Sequence, residues 1–290
     1  MPDAVARFAG FAAEYDAARP QPPVKLAEVL MQWAGAPAPD VVDLGAGTGL
    51  SAVIWAGRAA SVIAVEPGDG MRAVAARRLG LAPGPAPGPG PDQAGGTAQA
   101  GGTGPAAPLA PGSTTFSVLA GSAEDTGLPD ACADIVTASQ AMHWFDASRA
   151  LPEIVRILRP GGVFAAYDCD WPPCIDWETD AAYAEFATRV TDLETARELR
   201  PPHAGKRHLQ RITACGLFRQ ACEIAVDSQE QGDARRLVDV ALSQGGAVAL
   251  LEAGVTEDEM GLSALREIAA RRLPGPCIWW WTYRVRMAVK

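Results

Sequence analysis

A glycine-rich turn near residue 45 constrains the fold of this chain more than any other feature of its sequence. An apolar run ends in an acid and then alternates small residues, reading Val-Val-Asp-Leu-Gly-Ala-Gly-Thr-Gly-Leu over residues 41–50. This pattern predicts a buried strand, a tight turn and then a helix over residues 51–60. A strand, turn and helix of this kind form a nucleoside-type pocket at the carboxyl edge of the strand.

The spacing of the glycines excludes the two strongest phosphate-binding signatures. A dinucleotide fingerprint needs a small residue where Leu50 stands, and a phosphate-cradling loop needs a lysine that does not follow here. Asp43, directly before the turn, makes its neighbourhood negative. The sequence therefore favours a cationic or neutral nucleoside over a pyrophosphate.

A second apolar run, over residues 61–67, predicts a neighbouring strand that ends at Glu66. This acid lies about 20 residues beyond the first glycine, the interval at which a carboxylate reaches a ribose diol in such folds. A carboxylate only accepts hydrogen bonds, which suits two sugar hydroxyls. Met71 follows in the turn to the next helix and is placed to pack against adenine. The alternatives are a solvated strand end for Glu66 and a core or helix-surface position for Met71.

Two motifs resemble a known family. Residues 43–49 resemble the first motif of the Rossmann-like methyltransferases that depend on S-adenosylmethionine (SAM). Residues 138–146, which read Ala-Ser-Gln-Ala-Met-His-Trp-Phe-Asp, resemble a branch of small-molecule methyltransferases that includes trans-aconitate-type enzymes. The resemblance implies an α/β fold with a seven-stranded, mostly parallel sheet, helices on both faces and a helical lid.

The resemblance also implies a set of residues that bind SAM and its product S-adenosylhomocysteine. An N-terminal segment closes over the ligand, the glycine turn and Glu66 hold it, and a turn after the third strand reads the purine edge. These cofactor-binding predictions are Tyr15, Arg19, Asp43, Gly45, Ala46, Gly47, Gly49, Glu66, Pro67, Met71, Ser122, Ala123, Glu124 and Gln140.

The methyl acceptor is expected beside the cofactor, at the end of the strand that precedes His143. In the resemblance, His143 and Trp144 border the methyl donor or acceptor, and His143 is the best-placed base. Asp170, Trp171 and Trp177 are predicted to line the acceptor pocket from the material that follows the fifth strand. The alternatives are a packed histidine, a core tryptophan and a plain helical lid.

The sequence predicts one domain over residues 1–290, with three additions to the sheet. The first is an N-terminal cap over 1–35. The second is an insertion over 83–112, where glycine, proline and alanine dominate and disorder is expected. The third is a lid insertion over 169–216.

Composition and short motifs argue against several classes of binding partner. The net charge is −9 and no basic cluster occurs, which argues against nucleic acid. None of the six cysteines forms a C-x-x-C pair, and no H-E-x-x-H motif occurs, so no metal is expected. No apolar run spans a bilayer and no signal peptide is evident, so the expected location is the cytoplasm, without membrane association.

The predicted function is SAM-dependent methylation of a small molecule at oxygen, nitrogen or carbon. The many tryptophans suggest an aromatic or apolar acceptor, and a specialised metabolite is the expected class. In-line methyl transfer requires mainly that donor and acceptor are aligned and that water is excluded. One alternative is an NAD(P)-dependent oxidoreductase on a related fold, which Leu50 disfavours. The other is a non-catalytic nucleoside-binding protein.

Overall fold

A single seven-stranded sheet lies at the centre of the computed structural model, which describes residues 18–81, 113–199 and 207–290. In chain order the strands are β1 (Asp40–Leu44), β2 (Ser61–Val65), β3 (Thr115–Leu119), β4 (Ala133–Ser139), β5 (Leu158–Cys169), β6 (Gln220–Gly232) and β7 (Cys277–Val289). Their spatial order is β3-β2-β1-β4-β5-β7-β6. Strands β1 to β5 pair in parallel, and β7 runs antiparallel to both of its neighbours. The prediction of a seven-stranded, mostly parallel sheet is confirmed.

Helices cover both faces of the sheet. In chain order they are α1 (Val24–Ala34), α2 (Asp69–Arg78), α3 (Ala147–Ile157), α4 (Trp177–Ala196), α5 (His208–Ala214), α6 (Ala234–Leu242), α7 (Gly245–Glu252) and α8 (Leu262–Arg272). Successive residues of β1 enter different apolar cores, Val41 with Leu30 of α1 and Val42 with Ile154 of α3. This alternation is the period of two expected of a strand that is buried on both sides.

The three consecutive tryptophans of β7 follow the same rule. Trp279 and Trp281 are fully buried, whereas Trp280 between them is 48% exposed. The ring of Trp171 meets Trp281 edge-on, with ring centroids 5.0 Å apart. The indoles of Trp279 and Trp281 thus belong to the core. The segment after β5 packs on this core through the contact of Trp171 with Trp281.

A helical layer packs over one part of the sheet. α4 contacts α7 and α8, and α8 also contacts α6. The predicted lid over 169–216 supplies α4 and α5, but α6 to α8 come from the connection between β6 and β7. The helical layer therefore includes three helices, α6 to α8, that the sequence analysis did not assign to the lid. Residues 1–17 of the predicted cap and the predicted insertion over 83–112 lie outside the described residues.

The helix predicted over residues 51–60 is wrong in extent. Only a single 3₁₀ turn forms, over Ala52–Trp55. Ala52, Ile54 and Trp55 are all buried, so the turn has no solvated face of the kind that a surface helix presents. Gly57 then adopts a left-handed conformation with φ of 71°, which turns the chain towards β2.

No helix in the described part of the chain is both long enough and apolar enough to cross a bilayer.

A buried acid ties the glycine turn to the sheet. The carboxylate of Asp43, at 0% exposure, accepts hydrogen bonds from the hydroxyls of Ser51 and of Thr137 on β4, the latter at 2.7 Å. Burial raises the pKa of Asp43 to about 6, against the opposing effect of the two hydroxyl groups; the nearby charge of Glu66 raises it further.

This shift predicts a pH-dependent cost of folding. The unfolded state releases the Asp43 proton near pH 4 and the folded state near pH 6, so the free energy of unfolding falls as the pH rises between these values. Asp43→Asn lacks this change. The stability of the variant relative to the parent should therefore increase by about 2–3 kcal/mol between pH 4 and pH 7. Urea unfolding at several pH values measures this difference, and a flat or opposite trend would contradict the assignment.

Candidate functional site

A cavity of about 460 Å³ opens at the carboxyl ends of β1, β2 and β4. This volume lies within the range of small-molecule sites, and this edge of a parallel sheet is where α/β folds bind ligands. Its walls come from the turn after β1, the end of β2, the loop after β3, the loop after β4 and the segment that precedes α1.

The turn after β1 is built on two glycines that serve different purposes. The N–H of Gly45 donates to the carbonyl of Val65 at 2.9 Å, and a Cβ at Gly45 would lie only 2.7 Å from the Cβ of Ala141. Gly45 thus allows the turn to pack against the loop after β4. Gly47 has φ of 56°, and nothing lies within 4 Å of the place where its Cβ would be. Its backbone is therefore open to the cavity.

Glu66 links the ends of β1 and β2. Its Oε2 accepts from the N–H of Gly47 at 2.9 Å, and its Oε1 accepts from the N–H of Gly68 at 2.8 Å. Burial raises the pKa of Glu66, while the two backbone N–H groups and the charge of Arg72 oppose that rise. Each carboxylate oxygen has a second lone pair, so Glu66 can still accept hydrogen bonds from a ligand in the cavity.

The third wall is the loop after β3. Ser122 and Asp125 exchange backbone hydrogen bonds of 3.2 and 3.3 Å, which close a tight turn around Ala123 and Glu124. The carboxylate of Glu124 accepts from the N–H of Asp146 at 2.8 Å. This bond fixes the loop after β3 against the loop after β4.

Arg19 closes the cavity from the N-terminal side. Its guanidinium donates to Oε1 of Gln140 at 3.3 Å and to the carbonyl of Ser243 at 3.0 Å. It also lies over the ring of Trp171, 5.0 Å from the ring centroid. Gln140 has φ of 49°, a conformation that is uncommon for a residue with a side chain and that occurs often at functional sites.

The structure brings most of the predicted site residues to this one cavity. Those that line it are Arg19, Gly45, Ala46, Gly47, Glu66, Pro67, Met71, Ser122, Ala123, Glu124, Gln140 and Trp144. Tyr15 lies outside the described residues.

The remaining predicted residues lie elsewhere. Asp43 sits beneath the turn, and Gly49 packs against Ala75 of α2. Trp171 is not among the lining residues, but its ring lies under Arg19, which is one of them. Asp170 pairs with Arg284 at 2.9 Å, and Trp177 is 77% exposed at the start of α4, so neither lines this cavity.

His143 is not among the residues that line the cavity. Its Nδ1 lies 3.9 Å from Oδ1 of Asp168, and its ring stacks on that of His208 with centroids 6.4 Å apart. Trp144, the next residue, does line the cavity. The predicted role of His143 as a base is untested by this geometry and stays a prediction.

Sequence reasoning missed part of the lining. Most of the missed residues are direct neighbours of predicted ones, so extending each motif by a few positions would have found them. They are Pro20, Pro22, Thr48, Leu50, Ser51, Ser139, Ala141, Phe145, Asp146 and Arg149.

Sequence comparison finds a family match and a group of relatives. Residues 97–166 match the family model described as "Methyltransferase domain". Over 155 residues the chain is 31% identical to uncharacterized methyltransferases of Mycobacterium bovis and Mycobacterium tuberculosis. The match covers 53% of this chain and 49% of each relative, so the chain spans about half the length of these curated relatives.

Structural comparison concerns the fold. A protein of Anaeromyxobacter dehalogenans, described as a candidate type II methyltransferase, superposes with a TM-score of 0.64 at 23% identity and covers 93% of this chain and 97% of its own. A candidate methyltransferase of Bacillus halodurans superposes with a TM-score of 0.50 at 18% identity and covers 92% and 99%. These similarities and the strand order show that the chain has the fold of these neighbours, and its residues 97–166 match a methyltransferase domain.

Proposed function

We propose that this protein is a SAM-dependent methyltransferase and that SAM occupies the cavity at the ends of β1, β2 and β4. The observation that carries the proposal is the contact between Glu66 and Gly47. It places a buried carboxylate beside an open backbone turn inside one cavity. A nucleoside that offers a sugar diol to the acid and a chain to the turn matches this pair.

The residues present fit SAM in both shape and chemistry. The absence of a Cβ at Gly47 leaves room for close approach by a ligand. We infer that Glu66 accepts hydrogen bonds from the ribose hydroxyls and that the turn at Ser122–Glu124 contacts the adenine edge. Met71 lines the same cavity and offers a polarisable sulfur to an aromatic ring.

When bound, SAM supplies a methyl group on a positively charged sulfur, which leaves as a neutral thioether. The residues of this chain align the acceptor and keep water away. Arg19 closes one side by bridging Gln140 and Ser243, and Trp144 and Phe145 give the cavity an aromatic wall. This wall supports a small acceptor with an aromatic or apolar body.

The finer features of the reaction stay predictions. For an acceptor that must lose a proton, His143 is the predicted base, since it adjoins Trp144 on the loop after β4. The specialised-metabolite class of the acceptor and the cytoplasmic location rest on the sequence alone. Titration calorimetry with S-adenosylhomocysteine and with NAD⁺ separates the proposal from the oxidoreductase alternative: we expect heat with the first only.

Replacing Glu66 tests the ribose contact. Glu66→Gln should weaken S-adenosylhomocysteine binding by about 10- to 100-fold, because a hydrogen bond to a charged group contributes about 1.5–3 kcal/mol. Asp69→Asn is the control, since Asp69 lies three residues away and its side chain is 89% exposed. Titration calorimetry measures both affinities. Equal affinity of Glu66→Gln and the parent would refute the assignment of Glu66.

A pair of glycine substitutions separates backbone strain from ligand contact. Gly47 and Gly35 have similar positive φ angles, 56° and 59°, and a Cβ would meet nothing within 4 Å at either. Each change to alanine should therefore cost about 1–2 kcal/mol of stability. Only Gly47→Ala should also weaken S-adenosylhomocysteine binding, because Gly35 follows α1 and does not line the cavity. Urea unfolding and calorimetry measure the two effects, and an equal loss of binding in both variants would contradict this placement.

A further inference from the structure

Two histidines and one acid form a cluster beside the loop after β4, and none of the three lines the cavity. His143 comes from that loop, Asp168 from β5 and His208 from α5. One side-chain nitrogen or oxygen of each residue lies within 4.8 Å of those of the other two. The nearest pairs are Nε2 of His208 with Oδ2 of Asp168 at 3.3 Å and Nδ1 of His143 with Oδ1 of Asp168 at 3.9 Å.

The burial of His208 points to a ligand. Its side chain is at 0% exposure, yet neither ring nitrogen makes a hydrogen bond to any described residue, although Nε2 lies near Asp168. Buried polar groups in native proteins nearly always have a partner, and an ion is one of the few explanations for an exception. The side chain of His143 is 26% exposed, so the cluster is open to solvent on that side.

The surroundings of Asp168 resemble the outer shell of a metal site. Arg286 donates to Oδ2 of Asp168 at 2.9 Å, and the guanidinium is held in turn by Oε2 of Glu223 at 2.6 Å. Carboxylates that ligate metals are commonly oriented by such outer hydrogen bonds. Oδ2 of Asp168 faces Nε2 of His208 and Oδ1 faces Nδ1 of His143, so the carboxylate presents an oxygen to each imidazole.

We propose that His143, Asp168 and His208 form a binding site for one divalent transition-metal ion, with Zn²⁺ as the best match to the donors. Zn²⁺ binds imidazole nitrogen and carboxylate oxygen at about 2.0–2.2 Å, which places two ligands of a tetrahedron about 3.3–3.5 Å apart. The distance of 3.3 Å between Nε2 of His208 and Oδ2 of Asp168 already meets this spacing. A small rotation of the half-buried ring of His143 would shorten its 3.9 Å distance to Oδ1 of Asp168 to the same value. Three protein ligands leave one position on the ion for water or another small ligand.

The observations behind this site are separate from those behind the proposed methyl transfer, but a bound ion would limit one role proposed above for His143. A metal-bound imidazole has no free lone pair at the ligating nitrogen, so His143 cannot then act as the base through that atom. The ion would instead fix the loop that carries Gln140 and Trp144 to the cavity wall.

Metal titration of the full chain tests the proposal. Bound metal is first removed with a chelator, and the chelator is then removed by dialysis. The protein is titrated with Co²⁺, whose visible absorption is stronger when few ligands coordinate the ion. We expect one Co²⁺ per chain, displaced by Zn²⁺. His143→Ala and His208→Gln should each lower the affinity by at least about 10- to 100-fold, the loss seen when even a supporting group of a metal site is removed.

Asp170 supplies a control for the loss of a nearby charged side chain. It lies two residues beyond Asp168, pairs with Arg284 and is not part of the cluster, so Asp170→Asn should leave Co²⁺ binding unchanged. Circular dichroism in the presence of chelator shows whether each variant is folded; if His208→Gln is not, the partly exposed His143 carries the test. The proposal is overturned if the parent binds no Co²⁺, if His143→Ala binds it like the parent, or if Asp170→Asn loses it.

Discussion

The site depends on one carboxylate that holds two strand ends together. Glu66 accepts backbone hydrogen bonds from Gly47 and Gly68, so the turn after β1 and the start of α2 share one anchor. A buried carboxylate is costly unless its oxygens have partners, and backbone N–H groups are partners that no side-chain motion can remove. The glycine turn is thus held in shape by the same group that is proposed to bind the sugar.

A second buried acid, Asp43, also supports the glycine turn. Asp43 was predicted to contact the ligand, but its carboxylate is used by Ser51 and Thr137. The two acids thus have different structural roles. Asp43 fixes the turn to β4, whereas Glu66 fixes it to β2 and faces the cavity. Sequence position alone does not separate these roles, because both acids lie at the ends of buried strands.

The sequence predicted the fold well wherever local pattern decides the structure. The apolar runs of β1 and β2 and the break at Gly45 have a short-range cause, and the structure agrees with them. The helix predicted over 51–60 was wrong in extent. The burial of Trp55 and the turn at Gly57 depend on tertiary packing, which the local sequence pattern does not reveal.

The partners of His143 were beyond prediction for a related reason. Asp168 is 25 residues from His143 along the chain and His208 is 40 residues from Asp168, on a strand and a helix that only the folded sheet brings together. Motifs for metals and catalytic groups rely on fixed short spacings, and no such spacing exists here. The same holds for Arg286, which reaches Asp168 from the last strand of the sheet.

The bridge made by Arg19 bears on when the site forms during synthesis. Its guanidinium joins the carbonyl of Ser243, which is 224 positions further along the chain. When the glycine turn has left the ribosome, the group that completes this bridge has therefore not yet been released. Closing so long a loop is slow and entropically costly. The pocket thus reaches its final form only after Ser243 has left the ribosome.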